Sequence, residues 1–105
     1  MNATFNVAEP RSGTAVLSIE GMDSEDAAKT LVRIAINGVT LFEGATPFPN
    51  DDLPLATGRW ATQQLPFDAS ILRAGANTIT LTNLSPGRAS LPPFVAVDYA
   101  LVRLP

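Results

Sequence analysis

The chain has 105 residues, of which 46% are hydrophobic and 16% are charged, and its formal net charge is −3 at neutral pH. This length and composition predict a single compact domain over residues 1–105, too apolar for a disordered chain. The net negative charge and the presence of only one lysine, Lys29, argue against a nucleic-acid partner and against a polybasic membrane surface. No apolar stretch is long enough to cross a bilayer and no charged leader precedes an apolar run, so we expect a soluble domain and place any export signal outside this sequence.

Cysteine and histidine are both absent. The chain therefore cannot form a disulfide framework or a metal site built on thiolate or imidazole ligands. Neither a Ser-His-Asp set nor a phosphate-binding loop occurs, which leaves carboxylates, lysine and tyrosine for acid–base chemistry. Asp51 and Asp52 are adjacent in the chain, and adjacent residues do not flank a glycosidic bond from two sides. We expect the domain not to be an enzyme.

The first half of the chain alternates short apolar–polar runs with turn residues, a pattern typical of antiparallel strands. Strands are predicted over 3–7, 14–20, 30–36 and 39–43. In the second of these, Val16 and Ser18 share one face while Leu17 and Ile19 share the other. Asn37-Gly38 predicts a type I′ hairpin turn, because both residues tolerate positive φ. Residues 21–29 are polar and predict a loop.

The second half opens with a long irregular connection over residues 44–58, whose three prolines exclude a central strand. Connections of this length in a compact domain are typical of binding loops. A strand over 59–67 leads into a single helical turn over 68–75, with Asp68 as its cap and Gly75 as its end. The run 76–82 alternates like a strand with one solvated face, and the almost continuously apolar run 94–102 predicts a central strand buried on both faces. Seven or eight short strands without a true helix predict an all-β fold, an antiparallel β-sandwich or jelly roll.

Trp60 is the first candidate for ligand binding. An indole can stack on the apolar face of a sugar ring and donate one hydrogen bond, although an equally good interpretation places this tryptophan in the core. The neighbouring segment Pro47-Phe48-Pro49-Asn50-Asp51-Asp52 admits three interpretations: ordinary turn chemistry, hydrogen bonds to sugar hydroxyls, or oxygen ligands for a cation. In the second interpretation Asn50, Asp51, Asp52 and Arg59 would surround the sugar bound at Trp60.

Asp98 stands in the middle of an otherwise apolar strand. A buried carboxylate requires a hydrogen bond, an arginine partner or a cation, and Arg33 or Arg103 could serve as the partner. The acidic residues Glu20, Asp23, Glu25 and Asp26 are interpreted as one solvated patch. If a cation binds in this region, Asp23 and Glu25 are the next candidates after Asp51 and Asp52.

Three segments together resemble a known family: Val32-Arg33-Ile34-Ala35-Ile36-Asn37-Gly38, then 72–81 (LRAGANTITL), then 97–104 (VDYALVRL). They resemble the galactose-binding-like β-sandwiches that serve as carbohydrate-binding modules, and are similar to the C-terminal sandwich domain of rhamnogalacturonan lyases. The resemblance covers most of the chain from about residue 30 onward and implies a non-catalytic, extracellular domain of a larger polysaccharide-active protein. It also implies a structural calcium held by carboxylates near the first and last strands, which makes Asp98, with Asp23 and Glu25, a candidate ligand.

Two functional hypotheses follow. In the first, the chain is a carbohydrate-binding module that binds a plant or microbial polysaccharide through Trp60, Arg59, Asn50, Asp51 and Asp52. In the second, it is a structural sandwich that packs against neighbouring domains without binding sugar. The small number of aromatic side chains and the apolar run Leu91-Pro92-Pro93-Phe94 favour the second hypothesis.

Overall fold

A computed structural model describes residues 1–24, 29–50, 60–85 and 93–105. Within these ranges the chain forms seven strands and one 3-10 turn: β1 (Asn2–Val7), β2 (Thr14–Asp23), β3 (Leu31–Ile36), β4 (Val39–Ala45), β5 (Ala61–Asp68), the turn (Ala69–Ile71), β6 (Gly75–Asn83) and β7 (Val95–Arg103). The described residues include no helix long and apolar enough to span a membrane.

The strands form two antiparallel sheets that enclose a common core. One sheet has the order β1-β6-β3-β4 and the other the order β5-β2-β7. The core takes its largest buried side chains from both sheets and from the loop after β4, including Leu17, Ile19, Ile34, Ile36 and Phe48. The fold is therefore all-β with the character of a β-sandwich, as the strand pattern predicts.

β2 is the centre of the three-stranded sheet, and its alternation defines the two faces of that sheet. Ala15, Leu17 and Ile19 are fully buried, whereas Val16 and Ser18 between them are half-exposed. The predicted faces of this strand are confirmed. The predicted end at residue 20 is wrong, because Gly21 and Asp23 continue the inward alternation and the ladder with β7 runs to Asp23.

The Asn37-Gly38 turn joins β3 to β4 as predicted, with φ of 51° and 82°. Asn37 also reaches beyond its hairpin: its Nδ2 donates to the Ile71 carbonyl (2.9 Å) and to Asn77 Oδ1 (2.8 Å). Asn77 is buried, and its own Nδ2 donates to the carbonyl of Arg73 at 2.9 Å. These bonds attach the hairpin to the segment that connects the 3-10 turn to β6.

Asp68 caps the 3-10 turn, as predicted. Its carboxylate accepts a hydrogen bond from the Ser70 amide at 2.8 Å, and this bond lowers the pKa of Asp68. The prediction for Gly75 is wrong, because the turn already ends at Leu72 in extended backbone. Gly75 begins β6 instead, where its φ of +87° is a conformation that glycine adopts without strain.

β7 is not buried on both faces. Among the described residues it pairs only with β2, so it lies at the edge of its sheet, and Asp98, Tyr99, Leu101 and Arg103 are exposed. A β-bulge also interrupts the alternation of this strand: Glu20 lies opposite Tyr99, and the next residue of β2, Gly21, lies opposite Val97. Asp98 is the extra residue.

The bulge explains why the sequence over 94–102 is almost continuously apolar. On the C-terminal side Ala100 and Val102 pack on the core, and on the N-terminal side Val95 and Val97 do so. In chain order, the inward-facing positions thus change from odd to even numbers at Asp98. Without the extra residue, a strand with Ala100 and Val102 inside would also turn Asp98 inward, at the cost of burying an unpaired carboxylate.

Gly21, opposite the bulge, has no room for a side chain. A Cβ built on it would lie 2.8 Å from the Ala96 carbonyl oxygen and 2.8 Å from Cε2 of the buried Phe48 ring. We predict that Gly21→Ala lowers the free energy of unfolding by about 1–3 kcal/mol, because backbone and a packed ring must both move. Urea denaturation measures the change. Ser18→Ala, on the outward side of the same strand, serves as the control and should change stability by less than about 0.5 kcal/mol; equal stability of the two variants would contradict the observed packing.

Candidate functional site

The outward side of the β5-β2-β7 sheet, here called the outer face, carries the candidate site. Its members are the outward-pointing residues of the three strands, identified by alternation and register: Val16, Ser18, Glu20 and Met22 from β2, Thr62, Gln64 and Pro66 from β5, and Ala96, Tyr99, Leu101 and Arg103 from β7. Polar and apolar side chains are mixed on this surface, which distinguishes it from the mainly apolar inner side.

Trp60 belongs to the outer face. It immediately precedes β5, and because Ala61 lies opposite the inward-facing Gly21, the alternation places Trp60 on the outward side next to Met22. Its side chain is 41% exposed. Of the two interpretations that the sequence left open for this residue, the structure therefore supports the exposed one.

Tyr99 lies on the same face, two strands away, and is 44% exposed. Thr62, Glu20 and Tyr99 form one row across the three strands, because Glu20 lies opposite Thr62 on one side and opposite Tyr99 on the other. Thr62 Oγ1 is 3.1 Å from Glu20 Oε2 and 3.3 Å from the Tyr99 hydroxyl oxygen. The row is therefore a connected set of hydrogen bonds with an aromatic ring at one end.

Asn50 lies at a different place, in a group of polar contacts at the end of β2. It forms an isolated parallel bridge with Asp23, whose amide donates to the Pro49 carbonyl at 2.7 Å. Lys29 Nζ donates to Asn50 Oδ1 at 2.6 Å and to the Phe48 carbonyl at 2.8 Å. The Asn50 amide oxygen is thus already engaged by the lysine of the same chain.

Asp23 is completely buried and acts as the anchor of this group. Its carboxylate accepts hydrogen bonds from the amides of Ser24 (2.9 Å) and Thr30 (3.1 Å), and Lys29 Nζ lies 3.8 Å away. The prediction that Asp23 belongs to a solvated acidic patch is wrong, because the inward alternation of β2 extends to this residue. Glu20 lies within β2, as the strand predicted over 14–20 requires.

The buried side chain of Phe48 holds the segment after β4 against the end of β2. Its ring is 1% exposed and contacts the surface left open by Gly21. In the sequence, an apolar ring between two prolines in a polar stretch indicates a residue that fixes the segment to the core. The interpretation of this segment as a source of polar ligands overlooked that signal. The remaining binding candidates of the segment, Asp51, Asp52 and Arg59, lie outside the described residues.

Asp98 does not pair with either predicted arginine in the part of the chain that the structure describes. Arg33 instead donates to Glu43 at 2.8 Å, and this hydrogen bond lowers the pKa of Glu43. Asp98 is exposed at the bulge and lines an open cleft between β1 and β7 together with Phe5 and Val97. An exposed carboxylate is solvated by water and needs no ionic partner.

The two described calcium candidates lie in different environments. Asp23 is completely buried at the end of β2, whereas Asp98 is exposed at the bulge of β7; Glu25 is outside the described residues. Across residues 1–24, 29–50, 60–85 and 93–105, no three acidic side chains form a group that could hold a metal ion. Both oxygens of Asp23 are also engaged by backbone amides. Calcium binding by this chain stays a prediction, and the stability measurements below test it.

Sequence reasoning missed Tyr99, Thr62 and Glu20 as members of one site. The signal was present in β2 and β5, where polar residues recur at every second position and thus share the outward face. What was lacking was the order β5-β2-β7, which makes neighbours of strands that are distant in the chain.

We predict opposite results for the two described calcium candidates. Asp23→Ala should lower the free energy of unfolding by about 1–3 kcal/mol, because two buried amides lose their acceptor. Asp98→Ala should change it by less than about 0.5 kcal/mol, because this side chain is exposed. Urea denaturation without divalent ions measures both.

The same pair of variants tests the ion. A ligand that binds only the folded state raises its stability, so a bound calcium would raise the Tm of the wild-type chain. We expect no rise that depends on both carboxylates. A calcium-dependent rise in Tm that Asp23→Ala and Asp98→Ala each abolish would show that one ion uses both residues and would contradict the geometry described above.

Comparisons with known proteins do not identify this chain. No family model matches it, and no curated protein and no solved structure matches it significantly. Any statement on function therefore depends on the geometry of the outer face and of the β1–β7 cleft.

Proposed function

We propose that this domain is a non-catalytic carbohydrate-binding module and that it binds a polysaccharide on the outer face. In this proposal the sandwich is of the galactose-binding-like jelly-roll type and belongs to a larger extracellular protein that acts on polysaccharides. The chain's path is in keeping with that type, because β1, β3, β4 and β6 lie in one sheet while β2, β5 and β7 lie in the other.

One observation carries the proposal. The only tryptophan and the only tyrosine of the chain are both exposed, and both lie on the outward side of the same three-stranded sheet. Exposed aromatic rings offer flat apolar surfaces for the C–H faces of sugar rings, and their polar atoms remain available for hydrogen bonds. Glu20, Thr62 and Gln64 lie between or beside the two rings and can bind sugar hydroxyls.

The distance between the rings favours a chain of sugars over a single one. Two strand spacings and two residues along the strand separate the Cα positions of Trp60 and Tyr99, which amounts to about 12 Å. One sugar ring cannot cover that span, whereas consecutive rings of an oligosaccharide can. The aromatic positions thus fit a polymer lying across the strands.

The arrangement of carboxylates supports binding without hydrolysis. Cleavage of a glycosidic bond requires two carboxyl groups on either side of the bond. Among the described carboxylates, Glu20 is the one in the hydrogen-bonded row, and Asp98 lines the β1–β7 cleft.

We predict that Trp60→Ala and Tyr99→Ala each weaken binding about tenfold or more, because truncation of an aromatic anchor at a binding surface removes on the order of 1–2 kcal/mol or more. Affinity electrophoresis on pectin, xylan and glucan, together with the Trp60 fluorescence of the wild type, measures the effect. Phe94→Ala is the matched control: Phe94 is 37% exposed, but it lines the β1–β7 side.

The outcome that overturns the proposal is also specific. If no polysaccharide of the panel retards the wild-type domain and added sugar leaves the fluorescence unchanged, the domain is not a carbohydrate-binding module of this kind. If Phe94→Ala weakens binding as much as the other two variants, the outer face is not the binding surface.

A second candidate function is packing against a neighbouring domain. The observation that favours it is the cleft between β1 and β7, which has a volume of about 230 Å³ and is lined mainly by apolar side chains, among them Phe5, Ile79 and Val97. Phe94 borders the adjoining part of this cleft, whereas Leu91 and Pro92 of the predicted docking run lie outside the described residues. A domain that binds no polysaccharide, and whose cleft is protected from solvent only in the full-length protein, would support this candidate.

A further inference from the structure

We propose that the outer face selects neutral, hydroxyl-rich glycans and rejects polysaccharides that carry carboxylate or sulfate groups. This inference rests on the proposed carbohydrate-binding function and names the class of ligand for the same site. It follows from the direction of the hydrogen bonds in the Thr62–Glu20–Tyr99 row.

The direction of those bonds is determined by proton counting. A hydroxyl group has one hydrogen to donate. Thr62 Oγ1 uses its hydrogen on Glu20 Oε2, at 3.1 Å, because an ionised carboxylate can only accept. The contact of 3.3 Å between Thr62 and Tyr99 is then made by the hydrogen of the Tyr99 hydroxyl. The three side chains form a relay that ends at the carboxylate.

The relay leaves acceptors for a ligand. The hydrogens of Thr62 and Tyr99 are both used within the row, whereas Glu20 keeps its other oxygen and Tyr99 keeps its oxygen lone pairs. A sugar hydroxyl can donate to these atoms. A uronate or sulfate group has no hydrogen to donate and would place a second negative charge next to Glu20, where neither charge gains a partner.

Among the described residues of the outer face, no cation lies close enough to the row to offset the charge of Glu20. Arg103, also on β7, lies four residues beyond Tyr99, about 13 Å along the strand. That distance exceeds the range of about 8 Å over which surface charges act in physiological salt. Asp98, next to Tyr99, is a further negative group, and the chain as a whole carries a net charge of −3. Arg59, one of the sugar-binding residues predicted from the sequence, lies outside the described residues.

Two pairs of polymers with matched backbones test the inference. Hydroxyethyl cellulose and carboxymethyl cellulose form one pair, and methyl-esterified and de-esterified homogalacturonan form the other. We expect the wild-type domain to bind the neutral member of at least one pair about tenfold or more tightly than the acidic member, with a smaller ratio at high ionic strength. Affinity electrophoresis and titration calorimetry measure the ratio.

Two variants that remove the same amount of charge locate the effect. Glu20→Gln keeps an oxygen that can accept from Thr62, and it should raise the affinity for the acidic polymer several-fold. Asp98→Asn removes one negative charge that lies outside the hydrogen-bonded row and lines the β1–β7 cleft, and it should reduce the ratio less than Glu20→Gln does. If Asp98→Asn reduces the ratio as much as Glu20→Gln, overall charge and not the relay determines the selectivity.

The results separate this inference from the function on which it rests. Tighter binding of the acidic member, lost in Trp60→Ala, would overturn the selectivity and retain the carbohydrate-binding function, with Arg59 as the next residue to test. Binding of neither pair, with no retardation on any polymer of the panel, would overturn both. Equal binding of both members by the wild type overturns the selectivity alone.

Discussion

The single extra residue in β7 is the constraint on which the three-stranded sheet depends. At Asp98 the inward-facing positions of the strand change from odd to even numbers, so that Val95, Val97, Ala100 and Val102 all pack on the core. On the neighbouring strand, Gly21 allows this arrangement because it has no side chain. The Ala96 carbonyl and the Phe48 ring can therefore both approach its backbone closely. The same shift turns Asp98 to solvent while Tyr99 stays opposite Glu20, and thus helps to define the outer face.

The set of polar contacts at the end of β2 stabilises a second region of the fold, independently of the bulge. Asp23 provides buried acceptors for two backbone amides, and Lys29 joins it to the Phe48 carbonyl and to Asn50. A buried carboxylate is expensive unless it is hydrogen-bonded, and here each oxygen has an amide donor. The Lys29 ammonium thus provides a positive charge beside Asp23. These contacts join the end of β2 to the segment before β3 and to the segment after β4, and the Asn50 amide oxygen is used within the protein.

Much of the fold could be predicted from the sequence, because the signals that define it are local. Period-2 alternation in β2, positive φ at Asn37-Gly38 and the Asp68 cap are each determined by residues within a few positions of one another. The exposure of β7 could not be predicted, because its apolar run has the same composition in a buried strand and in an edge strand with a bulge. The outer face was missed for a related reason: Thr62, Glu20 and Tyr99 are neighbours only through the order of strands in the sheet. Trp60 could be singled out from the sequence because an indole is a candidate for sugar binding by its residue type alone, whichever strands lie beside it.

The central claim is that a glycan lies across the outer face between Trp60 and Tyr99. Two-dimensional NMR of the domain, titrated with an oligosaccharide from the polymer that it binds best, tests this claim most directly. The account predicts that the largest shifts occur at the Trp60 indole and at the amides of Met22, Thr62 and Tyr99. Shifts confined to β1 and the cleft side of β7, or no shifts at any concentration of the oligosaccharide, would contradict it.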